Sequence, residues 1–185
     1  MIGVILAGGQ SLRFGGSPKG LQSLRGLPLV GHVHANLSLV CTEVFIECVP
    51  GSGYEGWGVP CIHAGAEHAG KGPLAGMLAG LQAANGQSVA FAPCDMPLLA
   101  PPLYERLKAE PGGAHAISPT GPEPLVCVLP ASALQSIQAA LSLPVIPRVV
   151  DVFERAGVSG VTFAEDWPFV NVNTPEELAR LAAQF

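Results

Sequence analysis

Charge is what this sequence has least of. Only 12% of its 185 residues are Asp, Glu, Lys or Arg, roughly half the share of an ordinary globular domain. The balance is acidic, 9 basic against 14 acidic side chains for a formal net charge of −5. Nucleic-acid binders carry a basic patch or stripe, and none is visible here. Intrinsic disorder is excluded too, because disordered chains are charge-rich and poor in aliphatic residues, whereas 49% of this chain is hydrophobic. Long apolar runs are also missing, despite a mean hydropathy of +0.41. The long uncharged stretch from Gly72 to Cys94 is interrupted by Gln82, Asn85, Gly86, Gln87 and Ser88, so no membrane helix is expected there. A basic leader and a cleavage site are absent as well. Met1 runs straight into Ile2-Gly3-Val4-Ile5-Leu6, which is expected to be a first strand rather than a signal peptide.

Cysteine pairs at metal-binding spacing are lacking. The five cysteines, at 41, 48, 61, 94 and 127, are odd in number and contain no C-x-x-C. A disulfide framework or structural zinc site is therefore not expected, and reduced thiols in the cytoplasm fit better. His32-x-His34 and Cys61-x-His63 have no further ligands at finger-like spacing. They are expected to belong to a helix face and a loop.

What is present is a strict alternation of strand and helix patterns. Short apolar runs at 2–6 and 88–93 end in Gly or Asp territory, as strands buried on both faces do. Residues 43–49 and 124–129 are strand-like too, with Val and Ile prominent. Helical periodicity covers 28–40, 73–85, 101–109, 130–141, 147–156 and 174–183. Most of these open on Pro, a favoured first helical residue, and Asn85-Gly86 is a stop signal. Thr174-Pro175-Glu176-Glu177 supplies a cap, a first-turn Pro and acids that suit the helix dipole. The pattern predicts one α/β domain over 1–185 with a mainly parallel sheet.

Ligands of open α/β sheets bind beyond the carboxyl ends of the strands, and two features sit there. The loop from Leu6 through Ala7, Gly8 and Gly9 to Gly20 holds five glycines, together with Arg13 and Lys19, the only basic residues in the first 24 positions. Backbone N–H groups unobstructed by Cβ can close around an anion, and the two cations can neutralise a polyphosphate. Neither common phosphate motif fits. Lys19 has Pro18 before it and Gly20 after it, which is not a Walker A loop, and no G-x-G-x-x-G fingerprint is present. The second feature is Cys94-Asp95-Met96-Pro97 directly after a buried strand. One carboxylate at such a place suits Mg²⁺, which takes one or two protein carboxylates, waters and substrate phosphates.

Two stretches are less specific. Gly70-Lys71-Gly72-Pro73-Leu74-Ala75-Gly76 leads into a helix and can either approach a nucleotide or pack tightly on a strand. Residues 169–173 alternate as a strand that places Asn171 and Asn173 on one face, to ligate metal or substrate or to satisfy loop backbone.

Taken in order, LAGGQSLRFGGSPKGL, GPLAGMLAGL, APCDMPLL, GPEPLVCVL and FVNVNTPEEL resemble the molybdenum cofactor guanylyltransferases of MobA type. These belong to the wider nucleotide-diphospho-sugar-transferase-like group. The resemblance spans Leu6 to Leu178. It implies a three-layer α/β/α fold with a mainly parallel, mixed sheet, and transfer of GMP from GTP to the phosphate of molybdopterin, with Mg²⁺ as cofactor and pyrophosphate as the second product. It also implies roles by position. Leu6, Ala7, Gly8 and Gly9 would contact the nucleotide, Arg13 and Lys19 the triphosphate, and Asp95 the metal, with Gly76 beside the nucleotide. Asn171 and Asn173 would lie toward metal or pterin. The sequence departs from the family at Pro18, where an Asp often stands, in the loop 63–69, which lacks an Asp, and at 49–52, which lacks an Asn. Transfer of another nucleotide such as CMP, a sugar-phosphate acceptor, and a non-catalytic nucleotide-binding subunit are the alternative readings.

Overall fold

Strand β1 (Ile2–Leu6) is apolar at every position except Gly3, because both of its faces are covered. Ile5 joins a core shared with α1 (Leu29–Leu37) and α3 (Pro101–Lys108). Ile2 and Val4 join an opposite core shared with α2 (Pro73–Ala83), α4 (Ala133–Leu141) and α5 (Val149–Ala156). Strand β6 (Val89–Pro93) divides the same way, Ala90 and Ala92 to one side and Val89 and Phe91 to the other. Period-two alternation thus feeds two apolar layers, and a continuous apolar run in sequence becomes a central strand in space. The structure, a computed structural model, describes residues 1–9 and 18–184. The predicted contributions of Arg13 and of Gly15-Gly16 lie outside the described residues.

A short hairpin, β2 (Ser23–Leu24) and β3 (Leu27–Pro28), precedes α1. The main sheet adds β4 (Glu43–Glu47), β5 (Cys61–Ile62), β7 (Ala114–Ser118), β8 (Gly121–Leu129) and β9 (Ser159–Thr162). Its order is β5-β4-β1-β6-β8-β7-β9. Strands β5, β4, β1 and β6 run parallel, β8 is antiparallel to both of its neighbours, and β9 returns parallel to β7. The α/β class with a mainly parallel, mixed sheet is as expected. From β1 the chain moves outward to β4 and β5 and then crosses back to β6 on the other side. That reversal makes the β1–β6 boundary the switch point where such sheets open a ligand crevice.

The structure departs from the sequence pattern in two places. Residues 169–173 form no strand: Trp167–Phe169 is a 3-10 turn, and the Val172 N–H is given to the Asp95 carbonyl at 2.9 Å. Pro168 cannot donate to a ladder, and a backbone committed to the β6 tip has no sheet neighbour to join. Conversely β5, β7 and β9 carried no clear signal, being short or built from Ala, His, Ser and Gly. Helix α6 (Pro175–Gln184) closes the chain, burying Leu181 beside Leu24, Leu29 and Val172. No helix among the described residues is long and apolar enough to cross a membrane.

Candidate active site

Register fixes which residues meet at the carboxyl edge of the sheet. Leu6 pairs with Glu47 of β4 on one side and with Pro93 of β6 on the other. The pairing continues one step beyond the strands: Ala7 N–H donates to the Glu47 carbonyl at 2.8 Å, and Cys94 N–H to the Leu6 carbonyl at 3.1 Å. The chain leaves β1 at Gly8 and Gly9, both exposed, and leaves β6 at Asp95, half-buried. Adjacent parallel strands therefore deliver Gly8 and Gly9 and the carboxylate to the same edge of the sheet.

Lys19 arrives from the 3-10 turn Lys19–Leu21. Its ammonium donates to Asp95 Oδ2 and, at 2.6 Å, to Asn173 Oδ1. Residues 76 and 154 positions away in sequence are thus gathered on one amine. Charge-assisted bonds of this kind are stronger than neutral ones, and a lysine makes them as a compact point charge. Asp95 Oδ1 is buried and has no hydrogen-bond partner. An orphaned anionic oxygen is costly in a protein interior unless something completes it.

Asn173 is held by a capping box at the start of α6. Glu177 Oε2 accepts the N–H of Asn173 at 2.6 Å and of Thr174 at 3.2 Å, and Thr174 Oγ1 accepts the Glu177 N–H at 3.2 Å. The Thr174 cap expected from sequence is therefore present in its reciprocal form, and it fixes the backbone that aims the amide. Asn171, by contrast, is exposed. The two asparagines do not share a strand face, and Asn173 alone joins Lys19 and Asp95.

The remaining motif residues are placed as follows. Gly76 is buried in α2 where a Cβ would fall 2.6 Å from Glu47 Oε2 and 3.0 Å from Leu6 Cδ2, so its glycine lets the helix lie against the strand ends. Lys71 donates to the Leu141 carbonyl at 3.1 Å and caps the end of α4 rather than reaching the crevice. His32 contacts the Leu24 carbonyl and His63 the Cys48 carbonyl. No cluster of three or more His, Cys, Asp or Glu fit for a metal occurs among the described residues.

Glu47 was not singled out by sequence, yet it is one of three buried polar or charged residues among the described ones. Burial pushes its carboxyl above the usual carboxylate range, while the N–H groups of Gly8 and Ala64 and the charge of His63 pull it back down. The carboxylate thus braces the glycine loop from below. A raised folded-state value means the folded protein keeps this proton to higher pH than the unfolded chain does. Stability therefore falls as pH rises through that window, and Glu123, raised by burial, acts in the same direction. Glu47→Gln is expected to flatten the decline in urea-unfolding free energy as pH rises above the ordinary carboxylate range. A slope unchanged from the parent would remove Glu47 as its source.

Comparison with known proteins decides the family. The MobA-like NTP transferase domain matches residues 3–154. The chain belongs to the MobA-like NTP transferases. It is a nucleotidyltransferase by that membership. The molybdenum cofactor guanylyltransferase of Cupriavidus metallidurans is 36% identical over 95% of this chain and 91% of its own length. The protein of the same name from Shewanella frigidimarina is 33% identical over 98% and 95%. Among solved structures, the molybdopterin-guanine dinucleotide biosynthesis protein A of Archaeoglobus fulgidus superposes with a TM-score of 0.80 at 25% identity, covering all of both chains. The same fold extends to 4-diphosphocytidyl-2C-methyl-D-erythritol synthase of Anaerococcus prevotii, with a TM-score of 0.73 at 10% identity over 99% of this chain and 94% of that one. In this MobA-like transferase, Lys19, Asp95 and Asn173 meet at the β1–β6 switch point.

Proposed function

We propose that this chain transfers GMP from GTP to the terminal phosphate of molybdopterin, acting as one nucleotidyltransferase unit over residues 1–185. An oxygen of the acceptor phosphate bonds to the α-phosphorus of GTP, the α–β anhydride bond breaks, and pyrophosphate leaves. The acceptor is a phosphate monoester with a second pKa near ~6, so its nucleophile is already anionic at neutral pH. Such a reaction asks for cations aimed at phosphate oxygens more than for a general base. The observation that carries the reading is Lys19 held on Asp95 and Asn173 beside the glycine loop.

A divalent cation fits the same residues. The unpartnered Asp95 Oδ1 and the Asn173 amide oxygen are hard oxygen donors of the type Mg²⁺ accepts, and so few protein ligands match its habit of keeping waters and substrate phosphates. Asp95, with Asn173, would hold the ion, and bound Mg²⁺ supplies charge neutralisation across the phosphates. Lys19 would hold the departing pyrophosphate, with Arg13 assigned beside it by motif. Leu6, Ala7, Gly8 and Gly9 would line the nucleotide, with Gly76 behind them. The five free thiols suit a reducing cytoplasm.

Pyrophosphate release from GTP plus molybdopterin, dependent on Mg²⁺, is the test. GTP with Mg²⁺ is expected to raise the melting temperature above that given by CTP, ATP or UTP at equal concentration, since a ligand that binds only the folded state stabilises it. Greater protection by CTP would reassign the base.

A further inference from the structure

Tyr54 lies outside every motif discussed above. It opens the 3-10 turn Tyr54–Trp57 after β4, is 2% exposed, and packs in the core on the α1 side of the sheet. Its hydroxyl accepts the Gly20 N–H at 3.0 Å and donates toward Cys94 Sγ at 4.0 Å. Gly20 follows Lys19, and Cys94 precedes Asp95. One buried hydroxyl therefore touches the chain immediately next to the ammonium and immediately next to the carboxylate.

The contact is closed around glycine. A Cβ at position 20 would lie 2.6 Å from the Tyr54 hydroxyl and 3.1 Å from Cys94 Cβ. Within the Lys19 turn, Leu21 N–H bonds to the Pro18 carbonyl and Gln22 N–H to the Lys19 carbonyl, both at 3.1 Å. The hydroxyl reaches across to the β6 tip. Burial raises the phenol well above its ordinary range, so the group stays a neutral O–H and keeps both roles, acceptor and donor.

We infer that Tyr54 is a positioning residue for nucleotidyl transfer, its hydroxyl setting where Lys19 stands relative to Asp95. The inference rests on the roles given to Lys19 and Asp95 above. A tyrosine that serves only the core would contribute its ring, and Phe would replace it. A positioning tyrosine contributes its oxygen, and the loss appears in the chemical step, where a displacement of about 1 Å costs up to ~10²-fold.

The experiment is a double-mutant cycle in the full chain. Tyr54→Phe is expected to lower kcat about 10-fold or more with KM for GTP changed less than about 3-fold, and to cost less than about 2-fold in a Lys19→Met background. An equal loss in both backgrounds, or no loss in the parent, overturns the inference. A second readout needs no turnover. The chain has three lysines, Lys19, Lys71 and Lys108, and acetylation by an N-hydroxysuccinimide ester can be followed at each by peptide mass spectrometry. Tyr54→Phe is expected to speed labelling of Lys19 at least about 3-fold, with Lys71 and Lys108 unchanged as internal controls. Unchanged Lys19 labelling, or equal acceleration at all three, overturns it. If the parent enzyme releases no pyrophosphate, the transfer reading fails, while the labelling result still decides whether Tyr54 places the amine.

Discussion

Asp95→Asn is expected to reduce pyrophosphate release by about 10³-fold while the protein unfolds cooperatively near the parent's urea midpoint. The substitution keeps the shape and removes the charge. The Oδ2 atom faces the Lys19 ammonium, and Oδ1 is buried without a partner, the oxygen that would meet the proposed cation. An amide offers one oxygen and turns an NH₂ toward whichever cation it meets. The fold has little to lose. Asp95 lies two residues beyond the end of β6, and its backbone bond from Val172 at 2.9 Å is independent of the side chain. Lys19 keeps Asn173, so the cost in stability is expected to stay within about 1–2 kcal/mol. Chemical denaturation and Mg²⁺-dependent turnover on the same sample separate the effects. A folded Asp95→Asn protein with parental Mg²⁺-dependent turnover would sink the carboxylate's role.

Lys19→Met is expected to lower kcat about 10²–10³-fold, and much of kcat/KM with it. The amine sits on a half-buried turn between two oxygens. There a point charge acts with less screening than in water, and Met fills the stem volume while removing only that charge. Two kinetic outcomes are distinguishable. A fall in kcat means the charge is used where negative charge builds up, on the leaving pyrophosphate. A rise in KM for GTP at constant kcat means uniform binding, and the assignment to the transition state is lost. Lys19→Arg is not expected to restore the rate, because a planar guanidinium presents a fork where Asp95 and Asn173 grip a compact ammonium.

The comparison of sequence with structure turns on a few elements. Strands β1 and β6 were legible because both faces of each are covered, which forces an unbroken apolar run between glycine and Asp. Helices α2 and α6 were legible through their first-turn prolines, the Asn85-Gly86 stop and the Thr174 cap. Strands β7 and β9 were not, since pairing partners rather than composition make Ala114–Ser118 and Ser159–Thr162 extended. The 169–173 stretch misled for the same reason. Its alternation is real, but the Val172 N–H finds its acceptor at Asp95 and not on a neighbouring strand.

Of the site, the chain itself carried the reactive types and their settings: glycines after the first strand, a lysine within that loop, and a lone carboxylate ending another strand. It also carried the family pattern. Which groups touch was decided elsewhere. That Asn173 and not Asn171 meets the lysine follows from how α6 is capped and docked. That a buried glutamate underlies the glycine loop follows from the β1–β4 register, and that a tyrosine hydroxyl bridges two distant segments follows from a turn folding back over the sheet. Sequence determines local propensity and chemistry because both act over a few bonds. Only the folded sheet brings Lys19 within hydrogen-bond range of Asp95 and Asn173, and Tyr54 within range of Gly20 and Cys94, because strand order and register are set by burial summed over the whole core.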